Sequence, residues 1–347
     1  MPLFNLFKKY SKNIALLNSD GYKFYYKDLI KISTYIKKKI STKSFIILVS
    51  DNSIENILLY ITLLKNNCLV LIIDIKSNKE EFLNLLDRYK PNYIVVPDKF
   101  IKIKKNYKPY FKFYSNLFFK KNYNKKINYK SNLSILLSTS GTMGSQKFVK
   151  ITKENIYSNT LSIIKKLNIN SNDRAVINMP LSYSYMLSIL NTHVHCGASI
   201  FITNNSFLQR NFWREIKTNS ITSFNGVPYI YETLCKIGLN NLKIDSLRYL
   251  TQAGGKLSYN INKKIVNFSK KNEIKFYSMY GQTEASPRIA ILDSKYALQK
   301  IGSIGKAIPG GRIWLSNSEG KKITKSHEIG ELIYFGKNVS PGYAYSY

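Results

Sequence analysis

The sequence predicts an α/β fold of layered, mostly parallel sheets covered by helices, ending in a small β-barrel-like subdomain. Two observations lead to this prediction. Short, almost continuous apolar runs alternate with amphipathic stretches from the start of the chain to about residue 98, a pattern typical of parallel sheets that helices cover on both faces. From residue 301 onward, glycines alternate with short apolar runs, which predicts a small β unit.

The individual elements follow from the length and period of each apolar run. Runs too short for a helix predict strands, and longer runs with apolar residues every third or fourth position predict helices. In chain order the predicted elements are a strand at 45–49, a helix at 54–65, a strand at 68–73, a helix at 79–89, and strands at 93–96, 133–137 and 275–278.

Two stretches between these elements have an unusual composition. Residues 100–130 are rich in Lys, Asn and Tyr with weak periodicity, which predicts a surface linker or an irregular crossing. Residues 175–209 contain no Asp, Glu, Lys or Arg, although 21% of the chain is charged. Such a stretch is expected in the interior or along a pocket, and Pro180 and Asn191 within it argue against a membrane helix.

Glycine use divides the chain into two parts. Gly21 is the only glycine before Gly141, and the remaining glycines of the 17 all lie from Gly141 onward. Because glycine permits tight turns and close approach of the backbone to a ligand, the chemistry is expected in the second part. We predict a first α/β subdomain at 1–130, a second α/β subdomain at 131–299 that carries the chemical motifs, and the start of a small β subdomain at 300–347.

Length and composition predict a globular, cytoplasmic protein. A chain of 347 residues with 44% hydrophobic residues can bury a large core, which excludes global disorder. The sequence shows neither an apolar run of membrane-spanning length nor a secretory signal. Cys68, Cys196 and Cys235 lack metal-ligand and disulfide spacing, and His193 and His195 have no third ligand near them.

The net charge of +33 arises from 53 Lys and Arg residues against 20 Asp and Glu residues. Such a field attracts nucleic acid, anionic lipid or small polyanions. However, only seven of the basic residues are arginine, the residue that reads phosphate and guanine with paired donors, and the lysines are scattered along the chain. The pattern therefore favours compositional drift of the coding sequence over a nucleic-acid interface.

A loop of hydroxyls and glycines follows the predicted strand at 133–137 and ends at Lys147. From Ser138 it reads Ser-Thr-Ser-Gly-Thr-Met-Gly-Ser-Gln-Lys. Glycines let the backbone aim several N–H groups at one anion, hydroxyls add donors, and lysine adds compact positive charge, so the loop is predicted to bind phosphate. It differs from the common P-loop because Gln146 precedes the lysine and Phe148 follows it. The alternative is an ordinary Ser/Gly-rich connection.

A second motif directly follows the predicted strand at 275–278. Within five residues it delivers an aromatic ring, a glycine, a hydroxyl and a carboxylate: Tyr280, Gly281, Thr283 and Glu284. Such a set can stack on a purine, permit close backbone approach, donate to a phosphate and hold a divalent cation. Each residue alone is commonplace, so the combination carries the prediction.

The ordered motifs together resemble those of the adenylate-forming superfamily, which contains acyl-CoA synthetases, peptide-synthetase adenylation domains and luciferases. The resemblance is to the large N-terminal domain and covers essentially the whole chain. The motifs that carry it lie at 25–29, 139–142, 180–183, 253–255, 280–284 and 302–305, and at 330–332 with Gly342 and Tyr343.

The resemblance implies a two-step, AMP-forming ligase that uses ATP and Mg²⁺. A substrate carboxylate attacks the α-phosphate of ATP to give an acyl-adenylate and pyrophosphate. A thiol of CoA or of a phosphopantetheinyl carrier protein then takes the acyl group. Because the acid supplies its own nucleophile, such an enzyme mainly positions the reactants and stabilises charge.

The resemblance also implies roles for individual residues. Thr283 is expected to contact the α-phosphate, Glu284 to hold Mg²⁺, and Lys147 to act with them as the third catalytic residue at the end of the phosphate loop. The implied nucleotide-binding residues are Thr139, Ser140, Gly141, Thr142 and Gly144 at the β- and γ-phosphates, and Gly254, Gly255 and Tyr280 at the adenine, with Gly281 beside them.

The implied acyl pocket consists of Tyr183, Ser184, Tyr185, Met186 and Asn225. Tyr183 falls where the family carries an aromatic residue or a histidine that gates the pocket. In amino-acid-activating members an aspartate follows and pairs with the substrate ammonium, whereas Ser184 follows here. An unpaired ammonium in an uncharged pocket is costly, so the resemblance implies a non-amino carboxylic acid.

Four features depart from the family pattern. Met143 replaces a second hydroxyl, which is expected to weaken phosphate contact by about 1 kcal/mol. Gln146 replaces a proline and is expected to leave the loop looser, and Met186 replaces a glycine and is expected to narrow the pocket. The sequence ends at Tyr347, before the family's ribose-binding aspartate, hinge and mobile C-terminal lid.

Three hypotheses therefore follow from the sequence. The first is an AMP-forming carboxylate ligase, or the N-terminal portion of one. The second is a catalytically incomplete domain that binds ATP or AMP and needs a lid in trans, or that has lost turnover. The third is a basic protein that binds nucleic acid or anionic surfaces, which only the net charge supports.

Overall fold

Two large sheets, with helices between them and on their outer faces, form most of the structure. The computed structural model describes residues 2–98, 100, 103, 106–122, 132–139 and 147–345. The α-helices of this part are α1 (Tyr26–Lys39), α2 (Ile54–Lys65), α3 (Lys79–Tyr89), α4 (Lys153–Leu167), α5 (Ser184–Cys196), α6 (Arg210–Thr218), α7 (Pro228–Ile237) and α8 (Tyr259–Lys271). Short 3₁₀ helices lie at Pro2–Phe7, Leu239–Leu242, Thr283–Ala285 and Ser294–Tyr296.

The strands alternate with these helices along most of the chain. They are β1 (Ile14–Asn18), β2 (Lys23–Tyr25), β3 (Phe45–Ser50), β4 (Leu69–Asp74), β5 (Tyr93–Pro97), β6 (Tyr107–Phe113), β7 (Asn116–Lys121), β8 (Leu133–Ser138), β9 (Phe148–Thr152), β10 (Arg174–Ile177), β11 (Ser199–Ile202), β12 (Ser223–Gly226), β13 (Tyr249–Gln252), β14 (Lys275–Gly281), β15 (Arg288–Leu292), β16 (Lys306–Ala307), β17 (Arg312–Ser316), β18 (Lys322–Ile323), β19 (Glu331–Phe335) and β20 (Tyr343–Ala344).

The first large sheet contains eight strands in the order β20-β9-β8-β4-β3-β5-β7-β6. Its centre is parallel, because β3 pairs in the same direction with β4 and β5, and β4 with β8. Helices α2 and α3 supply the crossovers that parallel pairing requires. Strand β3 is buried along its whole length, as expected for a strand covered on both faces.

The second large sheet contains nine strands in the order β16-β15-β14-β13-β12-β10-β11-β1-β2. Strands β10 to β14 and β1 form its parallel part, and β2, β15 and β16 add antiparallel edges. The carboxyl ends of β10, β12, β13 and β14 therefore meet at one edge of this sheet. In open parallel sheets this edge is where ligands bind.

The hydrophobic core lies in three layers. The largest cluster joins residues from both large sheets with α1, α2, α4 and α5, so these helices lie between the sheets. A second cluster packs α6, α7 and α8 against the other face of the nine-stranded sheet, and a third packs α3 against the outer face of the eight-stranded sheet. This architecture confirms the predicted layered α/β fold.

Local sequence signals set the helix boundaries. The Ser53 side chain accepts a hydrogen bond from the backbone N–H of Asn56 at the start of α2, and Asn78 caps α3 in the same way. Thr152 and Asn155 form a reciprocal capping box at the start of α4. The predicted helices at 54–65 and 79–89 are confirmed with the same ends.

The C-terminal segment and the linker differ from the predictions in detail. In the described residues the C-terminal segment forms an open three-stranded sheet, β18-β17-β19, rather than a closed barrel, while β16 and β20 join the large sheets. The predicted linker at 100–130 contains an antiparallel hairpin, β6 and β7, at the sheet edge. The rings of Phe111 and Phe118 stack there with centroids 4.2 Å apart, but outward lysines dilute the apolar pattern of these strands.

The division into subdomains at 130 and 300 stays a prediction, and strand pairing crosses both positions. Strands β8 and β9 pair with strands from the first part of the chain, and β1 and β2 belong to the sheet of the second part. Of the uncharged stretch at 175–209, residues 175–203 are mostly buried, as predicted, whereas residues 204–209 are exposed or half-buried. Among the described helices, none combines the length and apolar character that a membrane crossing requires.

Candidate functional site

A cleft of about 560 Å³ opens at the edge where the parallel strands of the nine-stranded sheet end. It is lined by the segments that follow β13 and β14 and by the start of α5. Thr139, which follows β8, and the turn at 301–305 complete the lining. Its lining residues include ten of the predicted site residues: Thr139, Tyr183, Ser184, Tyr185, Gly254, Gly255, Tyr280, Gly281, Thr283 and Glu284. Motifs that are far apart in the sequence therefore meet at one place.

The segment after β13 forms a flat opening because it carries glycines. Gly254 has a φ of +85°, and a Cβ at this position would collide with the hydroxyl of Tyr183. The side-chain amide of Gln252 donates to the Gly255 carbonyl at 2.7 Å and holds the turn. Burial raises the pKa of Tyr183, so its hydroxyl stays protonated at neutral pH.

The end of β14 places an aromatic ring and two polar side chains along the cleft. The ring of Tyr280 is 37% exposed, and a Cβ on Gly281 would collide with the backbone carbonyl of Pro287. The hydroxyl of Thr283 lies 3.1 Å from the hydroxyl of Ser184. This contact joins the end of β14 to the first turn of α5.

Glu284 and Lys147 meet at a third residue, Tyr343. The Tyr343 hydroxyl donates to Oε1 of Glu284 at 2.7 Å, and the Lys147 ammonium lies 4.3 Å from the centroid of the Tyr343 ring. The hydrogen bond to the Glu284 carboxylate raises the pKa of Tyr343. Pairing of β20 with β9, with Tyr343 opposite Val149, brings the three residues together. Sequence reasoning gave Tyr343 no role, although it belongs to one of the motifs.

Part of the predicted phosphate loop lies outside the described residues. This applies to Ser140, Gly141, Thr142 and Gly144, and to the departures Met143 and Gln146. The two ends of the loop are described: Thr139 follows β8 and lines the cleft, and Lys147 precedes β9, which pairs antiparallel with β8. The two described ends of the loop therefore adjoin neighbouring strands, and Thr139 lines the cleft.

Two predicted pocket residues do not reach the cleft. Met186 is completely buried in the core between the sheets, because successive residues of a helix point about 100° apart and Tyr185 already faces the cleft. Asn225 is buried beneath the cleft, where it lines a small inner cavity. Its Oδ1 accepts a hydrogen bond of 2.6 Å from the Thr251 hydroxyl.

His193 and His195 lie two residues apart on α5, so the two rings do not share a face. Nδ1 of His193 lies 2.8 Å from the Ile189 carbonyl, and Nδ1 of His195 lies 2.8 Å from the Leu3 carbonyl. Across the described ranges, no cluster of three or more His, Cys, Asp or Glu residues has the arrangement of a metal site.

Sequence reasoning also missed Arg288, the first residue of β15. Its side chain is 2% exposed and lines the cleft. The pocket is therefore not free of charge, although the stretch at 175–209 is. The signal in the sequence is a single arginine that precedes a short apolar run, which gives no indication of what surrounds it.

Comparison with known proteins agrees with the fold and gives the family. The family model described as AMP-binding enzyme matches residues 8–344. The curated relatives include a 2-succinylbenzoate--CoA ligase of Listeria innocua serovar 6a, 26% identical over 62% of this chain and 43% of the relative. They also include a feruloyl-CoA synthase of Amycolatopsis sp, 24% identical over 60% of this chain and 42% of the relative. The matches thus span less than half the length of these relatives.

Solved structures share the fold over nearly the whole chain. The crystal structure of VinN has a TM-score of 0.79 at 16% identity and covers 98% of this chain and 89% of that one. The O-succinylbenzoate Coenzyme A Synthetase from Bacillus subtilis in complex with ATP and magnesium ion has a TM-score of 0.77 at 19% identity. It covers 98% of this chain and 72% of that one.

Proposed function

The chain belongs to the AMP-binding enzyme family, and from this premise we propose that it activates a carboxylic acid with ATP as an AMP-forming ligase. One observation carries the proposal: the cleft gathers an exposed aromatic ring, a glycine turn, a hydroxyl pair and a carboxylate beside the two ends of the predicted phosphate loop. The curated relatives named above are CoA ligases, which supports the same class of reaction.

The proposed nucleotide site divides into an adenine end and a phosphate end. The ring of Tyr280 and the glycine turn at Gly254 and Gly255 offer a flat, partly apolar surface for the adenine. The hydroxyl of Thr283 is assigned to the α-phosphate, because it is held in place by Ser184 at the start of the acyl pocket. We place the β- and γ-phosphates at the loop between Thr139 and Lys147.

Glu284 fits the proposed Mg²⁺ site. Magnesium in nucleotide enzymes is bound by one or two carboxylates together with substrate phosphates, rather than by a cage of protein ligands. Glu284 is half-buried at the cleft, and Tyr343 donates to one of its two carboxylate oxygens, which leaves the other for a metal ligand bond. Magnesium bound there would neutralise charge on the phosphates.

The proposed chemistry needs positioning more than a catalytic base. In the first step a carboxylate oxygen of the acid bonds to the α-phosphorus of ATP, the bond to the bridging oxygen breaks, and pyrophosphate leaves with the electron pair. In the second step a thiolate bonds to the acyl carbon, and AMP leaves. In the first step Thr283 and Lys147 would stabilise the negative charge of the phosphates directly, and Glu284 would do so through the bound magnesium.

The acid is proposed to be a non-amino acid that enters between Tyr183, Ser184 and Tyr185. Ser184 offers a hydroxyl instead of the carboxylate that an ammonium group requires. The names of the relatives favour CoA as the thiol acceptor, with a phosphopantetheinyl carrier protein as the other candidate. We further propose that a lid domain, in the same protein or in trans, completes the transfer step.

Two measurements test this function. Mg²⁺-ATP is expected to raise the unfolding temperature, because a ligand at about 100 times its Kd stabilises the folded state by about 2.7 kcal/mol. Carboxylate-dependent exchange between pyrophosphate and ATP is then expected, with the chain alone or with a lid domain added. A thermal shift without exchange would favour the incomplete nucleotide-binding domain, and the absence of any shift would reject both nucleotide hypotheses.

A further inference from the structure

Arg288 carries a buried charge that has no acidic partner. Its side chain is among the largest fully buried ones of the described chain. The electrostatic neighbours of the guanidinium are the phenols of Tyr185 and Tyr183, and none of the ion pairs between described residues includes it. The residues outside the description contain no Asp or Glu, so every acidic side chain of the protein is covered by this statement.

Two asparagine side chains hold the backbone of Arg288 in place. Nδ2 of Asn159, on α4, donates to the Arg288 carbonyl at 3.0 Å, and Nδ2 of Asn338 donates to the same oxygen at 2.9 Å. The guanidinium lies over the ring of Tyr185, with its carbon 4.7 Å from the ring centroid. Burial lowers the pKa of Arg288, but arginine stays protonated in proteins. A rigid, charged group therefore stands at the cleft wall.

The hydrogen bonds of the guanidinium are incomplete. Nη2 donates to the Ser188 hydroxyl at 3.3 Å, whereas the buried Nε has no hydrogen-bond partner. Nδ2 of Asn225, which lines the same small inner cavity, is also a buried donor without a partner. The bond from Thr251 to Asn225 Oδ1 fixes the orientation of this amide. Two buried donors, on residues that line the same small cavity, and one positive charge are thus without an acceptor.

The ring of His193, which lines the same inner cavity, carries an unpaired acceptor rather than a donor. Nδ1 of His193 faces the Ile189 carbonyl, so it carries the proton, and the buried Nε2 of the neutral ring is an acceptor without a partner. The inner cavity that His193 lines holds about 10 Å³, which is the space of about one water molecule. The Nε2 acceptor suits a water or a hydroxyl group. Because the inner cavity has no room for a larger anion, such an anion has to approach Arg288 from the open cleft.

A buried charge without a partner destabilises a protein, and such groups are retained where a ligand pairs with them. Arginines with a structural role in this chain have partners. Arg174 donates to the Ser199 hydroxyl at 2.8 Å and to the Asn219 carbonyl at 2.5 Å, and Arg248 pairs with Asp173 at 2.6 Å. Arg288 differs from Arg248 in having no acidic partner, from Arg174 in making only one long side-chain hydrogen bond and leaving Nε without a partner, and from both in lining the cleft.

Helix α5 places Arg288 about one helical turn from the position proposed for the reacting groups. Ser184, which contacts Thr283, lies at the mouth of the acyl pocket, and Ser188, which contacts Arg288, lies one helical turn further along α5. One turn of four residues spans about 6 Å. A group that reaches Arg288 is therefore separated from the reacting carboxylate by a few carbon–carbon bonds.

We infer that the acid activated by this protein carries a second, non-reacting carboxylate, and that Arg288 is the specificity-determining residue that binds it from the cleft. This inference rests on the proposed function, because it assigns the substrate class of the same cleft. It revises the expectation of an uncharged acyl pocket: the pocket favours a short dicarboxylic acid over a fatty acid.

Matched pairs of acids test the inference. Succinate, glutarate and adipate are compared with butyrate, valerate and hexanoate, by calorimetric binding to the full chain and by pyrophosphate exchange. The diacids are expected to bind at least about tenfold more tightly, the value of one hydrogen bond to a charged group. Arg288→Met is expected to remove this preference and Arg288→Lys to restore part of it, with the loss in KM rather than kcat.

Stability gives a second readout, independent of activity. Arg288→Met is expected to raise the unfolding temperature of the protein without ligand, because it removes an unpaired buried charge. The control Arg174→Met is expected to lower it, because Ser199 and Asn219 lose their donor. A marked destabilisation by Arg288→Met would indicate a structural arginine and would overturn the inference.

The remaining outcomes separate the inference from the function. If Mg²⁺-ATP binds but monoacids bind as tightly as diacids, the inference is wrong and the proposed function stands. If Arg288→Met weakens both kinds of acid equally, the arginine holds the reacting carboxylate instead, and if it weakens ATP without acid, the arginine serves a phosphate; either result contradicts the inference. Failure of ATP binding and exchange, by contrast, would reject the proposed function.

Discussion

The two edges of the nine-stranded sheet treat buried charge in opposite ways. At the edge where the parallel strands begin, Asp173 is completely buried and pairs with Arg248 at 2.6 Å. The same carboxylate accepts hydrogen bonds from the Thr222 hydroxyl at 2.8 Å and from the backbone N–H of Asn170 at 2.9 Å. At the edge where the strands end, Arg288 is equally buried but has no acidic partner.

The difference separates a part of the molecule that stabilises the fold from a part that binds. At the edge where the strands begin, here called the closed edge, both oxygens of the Asp173 carboxylate accept hydrogen bonds, so the buried charges add stability or at least cost little. At the edge where the strands end, here called the open edge, glycines stand in place of larger residues and the hydroxyls of Ser184 and Thr283 face each other. The Nε of Arg288 has no acceptor there. These unsatisfied groups lower the stability of the folded protein, and a ligand that pairs with them would restore it.

Breaking the closed edge should give the largest effect. Asp173→Ala is expected to lower the free energy of unfolding by about 3 kcal/mol, the low end for a broken buried pair. The low end applies because Arg248 is 37% exposed and water can solvate it. Urea unfolding measures the change. Asp293→Ala, which removes a half-exposed partner of Lys166, is the control and should cost no more than about 1 kcal/mol. Equal costs would contradict the comparison.

The open edge should respond in ligand binding rather than in stability. Glu284→Gln is expected to remove most of the thermal stabilisation by Mg²⁺-ATP, about 2 kcal/mol of the value at saturating ligand, and to leave stability without ligand within about 0.5 kcal/mol. Glu319→Gln is the matched control, since Glu319 pairs with Lys321 at 2.9 Å on the exposed surface. An unchanged ATP shift in the Glu284 variant would reject the magnesium assignment.

The glycine turn of the open edge links stability and binding. Gly254→Ala is expected to cost about 1–2 kcal/mol, because a side chain at positive φ is strained and its Cβ would collide with Tyr183. Gly320→Ala is a matched control, with a φ of +79° and no atom within 4 Å of the added Cβ. Differential scanning fluorimetry should show a loss for both variants, with a larger loss and a weaker ATP shift only for Gly254→Ala.

Local pattern was sufficient to predict the layered fold, whereas most of the site assignments rest on the resemblance of the ordered motifs to a family and stay predictions. The helix at 54–65 is an apolar run too long for a strand, the helix at 79–89 is amphipathic, and each begins at a capping residue, so both were predicted with their observed ends. The motif at 280–284 and the glycine turn were predictable as neighbours, because both follow parallel strands whose carboxyl ends meet at one edge. The hairpin of β6 and β7 was missed because outward lysines interrupt the alternation of its aromatic residues.

Features that depend on distant contacts could not be predicted. Arg288 reaches the cleft because β15 pairs antiparallel with β14, and its lack of an acidic partner is a property of the whole surrounding core. Tyr343 reaches Glu284 only through the pairing of β20 with β9. Met186 was placed in the pocket from its position next to Tyr185, but helical rotation turns it into the core.

Tyr343→Phe should give the smallest effect and should sharpen the comparison most finely. The variant keeps the ring against Lys147 and removes only the hydroxyl that donates to Glu284 at 2.7 Å. Because this bond orients the carboxylate, its loss is expected to weaken the Mg²⁺-ATP shift by about 1 kcal/mol or less. Stability without ligand should fall by a similar amount.

A tyrosine that bonds to the same strand provides the control. The Tyr89 hydroxyl donates to the carbonyl of Ala344, the residue after Tyr343, at 2.9 Å. Tyr89→Phe should therefore cost about as much stability, about 1 kcal/mol, and leave the Mg²⁺-ATP shift of calorimetric unfolding unchanged. If both variants weaken ATP equally, the position of β20 matters and the hydroxyl of Tyr343 does not; if only Tyr343→Phe does, the open edge depends on a single oriented carboxylate.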